Sequence, residues 1–196
     1  MFLKIAQKGK NDLGLYIATV ILVILGYFIG QAPITIAMFT NPEAKEMSPA
    51  ELQSAAEKLD FQAFGLSQNM AMFLLLWTFI FAMFVLWICV RKMHKKNWKD
   101  ILTSRPKLDW SRVFFSFGLW FGLTMIFELI FYFQNPDNYS FQFQPQAFLV
   151  LAIIALVLLP IQTSFEEIFF RGFLLQGLSL GAKSRLVPLI ITSVAF

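Results

Sequence analysis

The sequence predicts an all-α protein, a polytopic bundle of transmembrane helices with four full spans and the start of a fifth. Two observations support this fold class. The 196 residues are 58% hydrophobic and only 14% charged, whereas soluble domains are about 45–50% apolar and about 25% charged. The apolar residues also form long runs. This composition excludes a disordered chain and most soluble folds, and the single cysteine excludes a disulfide framework within one chain.

Four apolar runs reach the length of about 20 residues that a membrane-spanning helix needs. They cover residues 13–39, 70–90, 113–133 and 148–175, and a shorter apolar run covers 186–196. The first run follows basic residues, as in a signal peptide, but it is too long for one and three further spans follow it. We therefore expect a retained anchor at the N-terminus. The last run has about half the length required to cross a bilayer.

Basic segments alternate with acidic or neutral segments between these spans. Lys and Arg are in excess in 1–12, 91–112 and 176–186, whereas 40–69 is acidic and 134–147 is nearly uncharged. Because cytoplasmic loops carry the excess of Lys and Arg, the pattern predicts a multi-pass protein of the cell (inner or plasma) membrane with a cytoplasmic N-terminus. The basic run between two spans is interpreted as a topology signal, so no nucleic-acid partner is expected.

The predicted regions are a cytoplasmic N-terminus, 1–12, three N-terminal spans, 13–133, and a last region, 147–196. The acidic outer loop contains a predicted amphipathic helix over 48–64. Ser48, Pro49 and Glu51 provide an N-cap, a proline at the first helical position and a capping box. We expect this helix to lie on the outer membrane surface in a structural role, with Phe61 and Phe64 inserted into lipid.

Two isolated ionisable residues receive structural interpretations. His94 is the only histidine and lies in the basic cytoplasmic loop 91–112 beside Lys95 and Lys96. Because neighbouring cations disfavour both its protonation and metal binding, we predict a solvated loop residue. Glu128 lies about six residues from the outer end of the third span, and we interpret it as a satisfied structural carboxylate.

A charged cluster, Glu166, Glu167 and Arg171, interrupts the fourth apolar run. An ionisable group costs about 2.5–3.5 kcal/mol at the centre of a span, and such groups are usually functional. Glu167 and Arg171 are spaced i,i+4 and can pair, while Glu166 is rotated about 100° from Glu167 and can face a cavity as a general base. Three alternatives remain: a helix cap after Pro160 by Thr163 or Ser164, a structural ion pair, and side chains that reach the interface.

The stretch from Glu166 to Arg171 resembles the Glu-Glu-x-x-x-Arg motif of the CPBP family. This family of membrane-embedded proteases includes type II CAAX prenyl endopeptidases and bacteriocin-processing and self-immunity proteins. The resemblance extends over 156–196 and includes Gly172 and the basic turn at Lys183 and Arg185. It implies that the protein lies in membrane lipid and hydrolyses a peptide or protein substrate. It also implies that Glu166 activates the attacking water and that Glu167 and Arg171 have supporting roles.

The family pattern also implies later motifs, and these are missing here. The resemblance implies a Phe-x-x-x-His motif in the next span and a further His, with a divalent metal such as zinc as a possible cofactor. Phe196 occupies the place of the motif phenylalanine, and the sequence stops there. We therefore expect a C-terminally truncated and inactive chain whose catalytic set and metal ligands are incomplete. The alternatives are a non-catalytic membrane scaffold or bacteriocin self-immunity protein, and a small transporter.

Overall fold

A computed structural model describes residues 6–58, 60–102, 109–140, 143–182, 184 and 186–196, and its regular structure there is entirely helical. The α-helices are Leu13–Gly30, Ala32–Thr40, Pro42–Glu46, Pro49–Glu57, Gln68–Ile88, Trp98–Leu102, Trp110–Gln134, Pro145–Glu166, Leu175–Gly181 and Leu186–Ala195. Wider π-helical segments form at Cys89–Met93 and Glu167–Leu174, and a 3₁₀ turn forms at Pro136–Asn138. The predicted all-α class is confirmed.

Four helical stretches are long and apolar enough to cross a membrane. In chain order, the first to fourth spans are Leu13–Thr40, Gln68–Met93, Trp110–Gln134 and Pro145–Gly181. Each corresponds to one predicted apolar run. The fifth run forms the ten-residue helix Leu186–Ala195, which is about 15 Å long at 1.5 Å per residue and covers about half of the hydrocarbon core.

The first and second spans pack closely because the first span carries glycines at the interface. A Cβ atom added at Gly26 would lie 2.7 Å from Cγ2 of Val85, and one at Gly30 would lie 3.1 Å from the backbone of Thr78. Small residues permit such an approach between membrane helices. The first span consists of two helices, which meet at Gln31.

One buried apolar cluster joins the first span, the second span and the part of the fourth span that carries the charged cluster. Its members are Tyr16, Val23, Ala82, Leu86, Val90, Ile101, Phe165, Ile168, Phe169 and Phe173. Four of these ten residues lie between positions 165 and 173. The inner face of the fourth span is therefore anchored in the core at the level of the charged residues.

The fourth span runs through Pro160 without a break. Pro160 lies inside the helix Pro145–Glu166, so no new helix begins after it. The Thr163 hydroxyl donates to the carbonyl oxygens of Leu159, at 3.0 Å, and Pro160, at 3.2 Å. The helix-cap alternative for Thr163 and Ser164 is therefore wrong, because a cap needs a helix start that is absent at this place.

The outer-loop helix begins as predicted but ends earlier. Ser48 donates to Oε2 of Glu51 through its backbone N–H at 2.8 Å and its hydroxyl at 2.7 Å, so the capping box is confirmed. The helix covers Pro49–Glu57 instead of 48–64. Phe64 is 2% exposed and packs with Ala44 and Ala55. The expectation that Phe64 enters lipid is therefore wrong, because the following turn returns its ring to the helix.

Residues 105–148 form a compact unit of their own. Its described part contains the third span, which begins at Trp110 after the side chain of Asp109 accepts a hydrogen bond from the Arg112 N–H at 3.4 Å. The Tyr139 hydroxyl donates to Oε1 of Glu128 at 3.0 Å. This bond gives Glu128 a partner within its own unit, as the structural interpretation predicted.

Candidate functional site

The charged cluster lies where the fourth span changes from an α-helix to a π-helix. The α-helix ends at Glu166, and the π-helical segment Glu167–Leu174 follows. Wider π-turns are rare and are found frequently at functional sites. No feature of the sequence predicted this change, because the i,i+4 spacing of the motif is also compatible with an ordinary helix.

The π-helical segment has an aromatic inner face and a charged outer face. Phe165 stacks on Phe169 with ring centroids 5.7 Å apart, and Phe169 stacks on Phe173 at 6.5 Å. These rings are buried in the core. On the outer face, the side chains of Glu167 and Arg171 are 48% and 62% exposed. The aromatic face therefore fixes the segment while the charged face stays accessible.

Glu167 and Arg171 form the predicted ion pair. Nη1 of Arg171 donates to Oε1 of Glu167 at 3.0 Å. The guanidinium group of Arg171 also lies over the ring of Phe196, 5.4 Å from its centroid, which is a cation–π distance. Phe170 contacts the same ring edge to face at 5.6 Å. The short last helix thus covers part of the ion pair.

Glu166 has a different partner from its neighbour. Its Oε1 accepts a hydrogen bond from Nε2 of Gln162 at 3.3 Å, and the residue is half-buried. An amide donor satisfies one carboxylate oxygen but leaves the charge uncompensated, whereas Glu167 has a cation. The two adjacent carboxylates therefore have different partners. Gln162 had not been recognised from the sequence.

An apolar groove of about 620 Å³ lies beside the C-terminal half of the fourth span. It is lined mainly by the first span and by residues after the motif: Tyr16, Ile17, Val20, Leu174, Gly177 and Leu178. Glu166 is not among its lining residues. The sequence-based expectation that Glu166 faces a cavity is therefore not met by this groove.

The short helix Trp98–Leu102, which belongs to the basic loop, packs against the segment that carries the motif. Gly172 allows this contact, because a Cβ atom there would lie 2.8 Å from Cγ2 of Ile101. Nε2 of Gln176 donates to the carbonyl oxygen of Asp100 at 2.8 Å. Sequence reasoning did not assign Gln176 to the site; its only signal was an amide within an apolar run. The basic turn at Lys183 and Arg185 lies outside the described residues.

His94 is buried, so the prediction of a solvated loop residue is wrong. Its exposed fraction is 0%. Its Nδ1 lies 3.0 Å from the carbonyl oxygen of Lys10, and its Nε2 lies 3.0 Å from the Thr19 hydroxyl. The neighbouring cations do not keep the loop in water, because Lys96 also turns inward and finds its own acceptors.

The donor set does not fit a divalent metal. Among the residues that the structure describes, no group of three or more His, Cys, Asp or Glu side chains could hold one. Glu167 is paired with Arg171, and both ring nitrogens of His94 already have partners. Glu166 alone cannot form a metal centre, since zinc sites use three or four protein ligands. No chemical step is therefore derived through a metal.

These features define a membrane protein of several helical spans with a carboxylate and ion-pair site in its fourth span. Residues 145–196 match the family described as type II CAAX prenyl endopeptidase Rce1-like. This match agrees with the family resemblance that the motif predicted. The matched residues include the whole Glu-Glu-x-x-x-Arg motif.

The chain is also similar to a protein of Bacillus subtilis (strain 168), the uncharacterized protein YyaK. The two are 39% identical over 117 residues, which cover 59% of this chain and 38% of the relative. The chain therefore matches well under half of the length of that curated relative. No solved structure matches the chain significantly.

Proposed function

We propose that this chain is part of a membrane-embedded endopeptidase of the CAAX type, in which Glu166 is the water-activating base. The proposal assigns hydrolysis of a peptide or protein substrate to a site near the cytoplasmic face of the cell membrane. The single observation that supports this proposal is the difference between the partners of two adjacent carboxylates, Glu166 and Glu167. Arg171 compensates Glu167 at 3.0 Å, whereas Glu166 accepts from the Gln162 amide at 3.3 Å and has no ion pair among the described residues.

This arrangement suits general base catalysis. An ionised carboxylate without a cation can accept a proton from water as the water oxygen attacks the substrate carbonyl carbon, and it can return that proton to the leaving amine. Glu167 cannot take this role without losing its ion pair with Arg171. We therefore assign Glu167 and Arg171 to the support of the π-helical turn. We also propose that the protein contacts membrane lipid and has no nucleic-acid partner.

The proposed orientation places the N-terminus in the cytoplasm. Lys8 and Lys10 in the N-terminal segment and the basic residues of 91–99 lie at the same end of the first two spans, since Lys10 bonds to His94 through their backbones at 2.8 Å. A surplus of Lys and Arg at one end of the spans favours the cytoplasmic side. The motif-bearing π-helix contacts the same loop through Ile101.

The test compares Glu166→Gln with Glu128→Gln in the complete protein, which includes any residues encoded after Phe196, reconstituted in proteoliposomes. The probe is a quenched fluorescent peptide ending in a Cys-aliphatic-aliphatic-x sequence, with and without a prenyl group on the cysteine. Removal of a general base costs about 10²–10⁴-fold in rate. We expect that loss for Glu166→Gln and near-normal cleavage for Glu128→Gln, because Glu128 only accepts from Tyr139. Equal rates in both variants would contradict the role of Glu166.

A second candidate is a non-catalytic membrane protein, such as a scaffold or a self-immunity factor. One observation favours it: the only histidine of this sequence is buried and bonded through both ring nitrogens. A Glu–His pair for water activation therefore cannot form from these residues in the described arrangement. Absence of cleavage by a correctly inserted complete protein, with either peptide, would favour this second function.

A further inference from the structure

The N-terminal segment is held against the basic loop by paired bonds between Lys10 and His94. The backbone N–H of Lys10 donates to the carbonyl oxygen of His94 at 2.8 Å. In the opposite direction, Nδ1 of His94 lies 3.0 Å from the carbonyl oxygen of Lys10. The approach requires Gly9, whose φ is +70°, because a Cβ atom there would clash with the His94 carbonyl oxygen.

Lys96 provides a second connection between the same parts of the chain. Its side chain is 3% exposed, and its Nζ donates to the carbonyl oxygen of Ala6 and to the Tyr16 hydroxyl, both at 2.9 Å. The ammonium group also lies 5.5 Å from the centroid of the Tyr16 ring. A buried ammonium group is costly unless all its surroundings compensate it. We call Lys10, Tyr16, Thr19, His94 and Lys96 the His94 lock.

The His94 lock contacts the π-helical segment directly. The His94 ring meets the Phe173 ring edge to face at 5.1 Å, and the Tyr16 ring lies 4.8 Å from the same phenylalanine. Phe173 is 1% exposed and lies within the π-helical segment. A second path runs from Lys8 to Asp100 at 2.7 Å and from the Asp100 carbonyl oxygen to Gln176.

We propose that His94 and Lys96 are positioning residues for the candidate site. They connect the N-terminal segment 6–12 to Phe173 and thereby hold the π-helical turn that presents the Glu-Glu-x-x-x-Arg motif. The proposal deepens the proposed function and rests on it, because it assigns the His94 lock to the same site. Without the lock, Phe173 loses two aromatic neighbours in fixed positions, and the turn is free to return to ordinary α-helical geometry.

The buried surroundings of the ring favour a neutral His94. A carbonyl oxygen only accepts, so Nδ1 carries a hydrogen, and in the neutral ring Nε2 accepts from the Thr19 hydroxyl. Protonation would reverse the Nε2 bond, since a hydroxyl oxygen can also accept, and it would add a second cation beside Lys96. Burial is the main reason that the pKa of His94 lies below its ordinary value, and the charge of Lys96 lowers it further. The titratable groups around the lock are Lys8, Lys10, Asp12, Tyr16, Cys89, Lys96 and Asp100.

The test measures the position of the fourth span by spin-label distances, which need no activity. Labels replace Leu22 and Ser164, both exposed, in a Cys89→Ser background. We expect a narrow distance distribution at about pH 8 that broadens reversibly at about pH 5, on either side of the ordinary histidine pKa. A matched label pair at Leu22 and Phe84, on the first two spans, should not respond.

Two substitutions separate positioning from simple packing. His94→Phe keeps an aromatic ring against Phe173 but loses both polar bonds, so its distribution should be broad at both pH values. His94→Asn keeps an amide donor at the position of Nδ1 and does not titrate, so its distribution should not change between the two pH values. Identical distributions in the parent and both variants at both pH values would overturn the proposal, whether or not the protein cleaves peptides.

Activity of the complete protein supplies the second measurement. A displacement of about 1 Å at a catalytic group can cost about 100-fold in rate, so we expect a loss of that order for His94→Phe. His94→Asn should be more active than His94→Phe, because it keeps a donor at the position of Nδ1, and it should lose the acid limb of the pH profile that depends on His94. If Glu166→Gln is without effect, the proposed function fails while the distance measurements still decide the His94 lock. Unchanged pH profiles in both His94 variants would overturn the lock and leave the peptidase function standing.

Discussion

Replacement of Gly172 by alanine tests how tightly the short helix Trp98–Leu102 packs against the motif. The two elements meet where Gly172 faces Ile101, which is 4% exposed. An added Cβ atom would lie 2.8 Å from Cγ2 and 2.9 Å from the carbonyl oxygen of Ile101. A carbon–oxygen contact normally measures about 3.3–3.6 Å, so one partner must move by about 0.5 Å. The side chain can rotate, but the carbonyl oxygen moves only with its helix.

The expected loss of stability follows from two opposing effects. Inserting a methyl group into a well-packed contact costs about 1–3 kcal/mol. Alanine in place of glycine inside a helix raises the free energy of unfolding by about 0.5–1 kcal/mol. We therefore expect Gly172→Ala to lower the free energy of unfolding by about 0.5–2 kcal/mol. The loss should be smaller in an Ile101→Ala background, because that change removes Cγ2 but leaves the carbonyl oxygen in place.

The protein supplies its own reporter for this measurement. Cys89 is the only cysteine of the chain and is 2% exposed, so a thiol-reactive fluorophore detects unfolding of the first two spans in detergent. Gly14→Ala is the matched control, because no described atom lies within 4 Å of a Cβ atom at that position, and it should be neutral or slightly stabilising. If Gly172→Ala behaves like Gly14→Ala, the close contact with Ile101 does not exist.

Two further predictions concern pH. Burial lowers the pKa of Lys96 from 10.5 to about 8. The unfolded chain therefore binds more protons than the folded chain between these two pH values, and the free energy of unfolding should rise with pH across that window. Thermal unfolding should show this rise, and Lys96→Met should remove it. The hydrogen bonds from Ser48 lower the pKa of Glu51 in the folded chain. The capping box therefore stabilises the helix fully above the ordinary pKa of 4.5, and this stabilisation is lost as the pH falls through the lower pKa of the folded chain. The protection of the amide hydrogens of Pro49–Glu57 against exchange, measured relative to the unfolded chain, should therefore decrease in acid, and Ser48→Ala should decrease it at neutral pH and flatten that acid dependence.

Features of the fold that depend on local sequence could be predicted, and those that depend on distant contacts could not. The spans follow from the length of the apolar runs, and the pair Glu167–Arg171 follows from its i,i+4 spacing. The burial of His94 depends on Lys10 and Thr19, which are 84 and 75 residues away in sequence. No spacing rule connects such positions, so the charges beside His94 indicated solvent instead.

The end of the outer helix illustrates the same limit. Its start was predictable because Ser48, Pro49 and Glu51 provide local capping interactions. Its end was not, because the chain turns after Glu57 and packs Phe64 against Ala55. Likewise, Phe173 of the π-helical segment contacts the rings of Tyr16 and His94, which belong to two other parts of the chain. In each case a tertiary contact overrides the periodicity of the sequence.

The charge balance of the cluster separates the peptidase proposal from a purely structural explanation. Arg171 pairs with one of the two carboxylates, and the half-buried Glu166 has no cationic partner among the described residues. An ionised group within a span costs about 2.5–3.5 kcal/mol at the centre and less toward either end. Gln162 could bond equally well to a glutamine at position 166, so stability alone gives no reason for a carboxylate there. A structural ion pair explains Glu167 and Arg171, but it does not explain Glu166, whereas the proposed acceptance of a proton from water does.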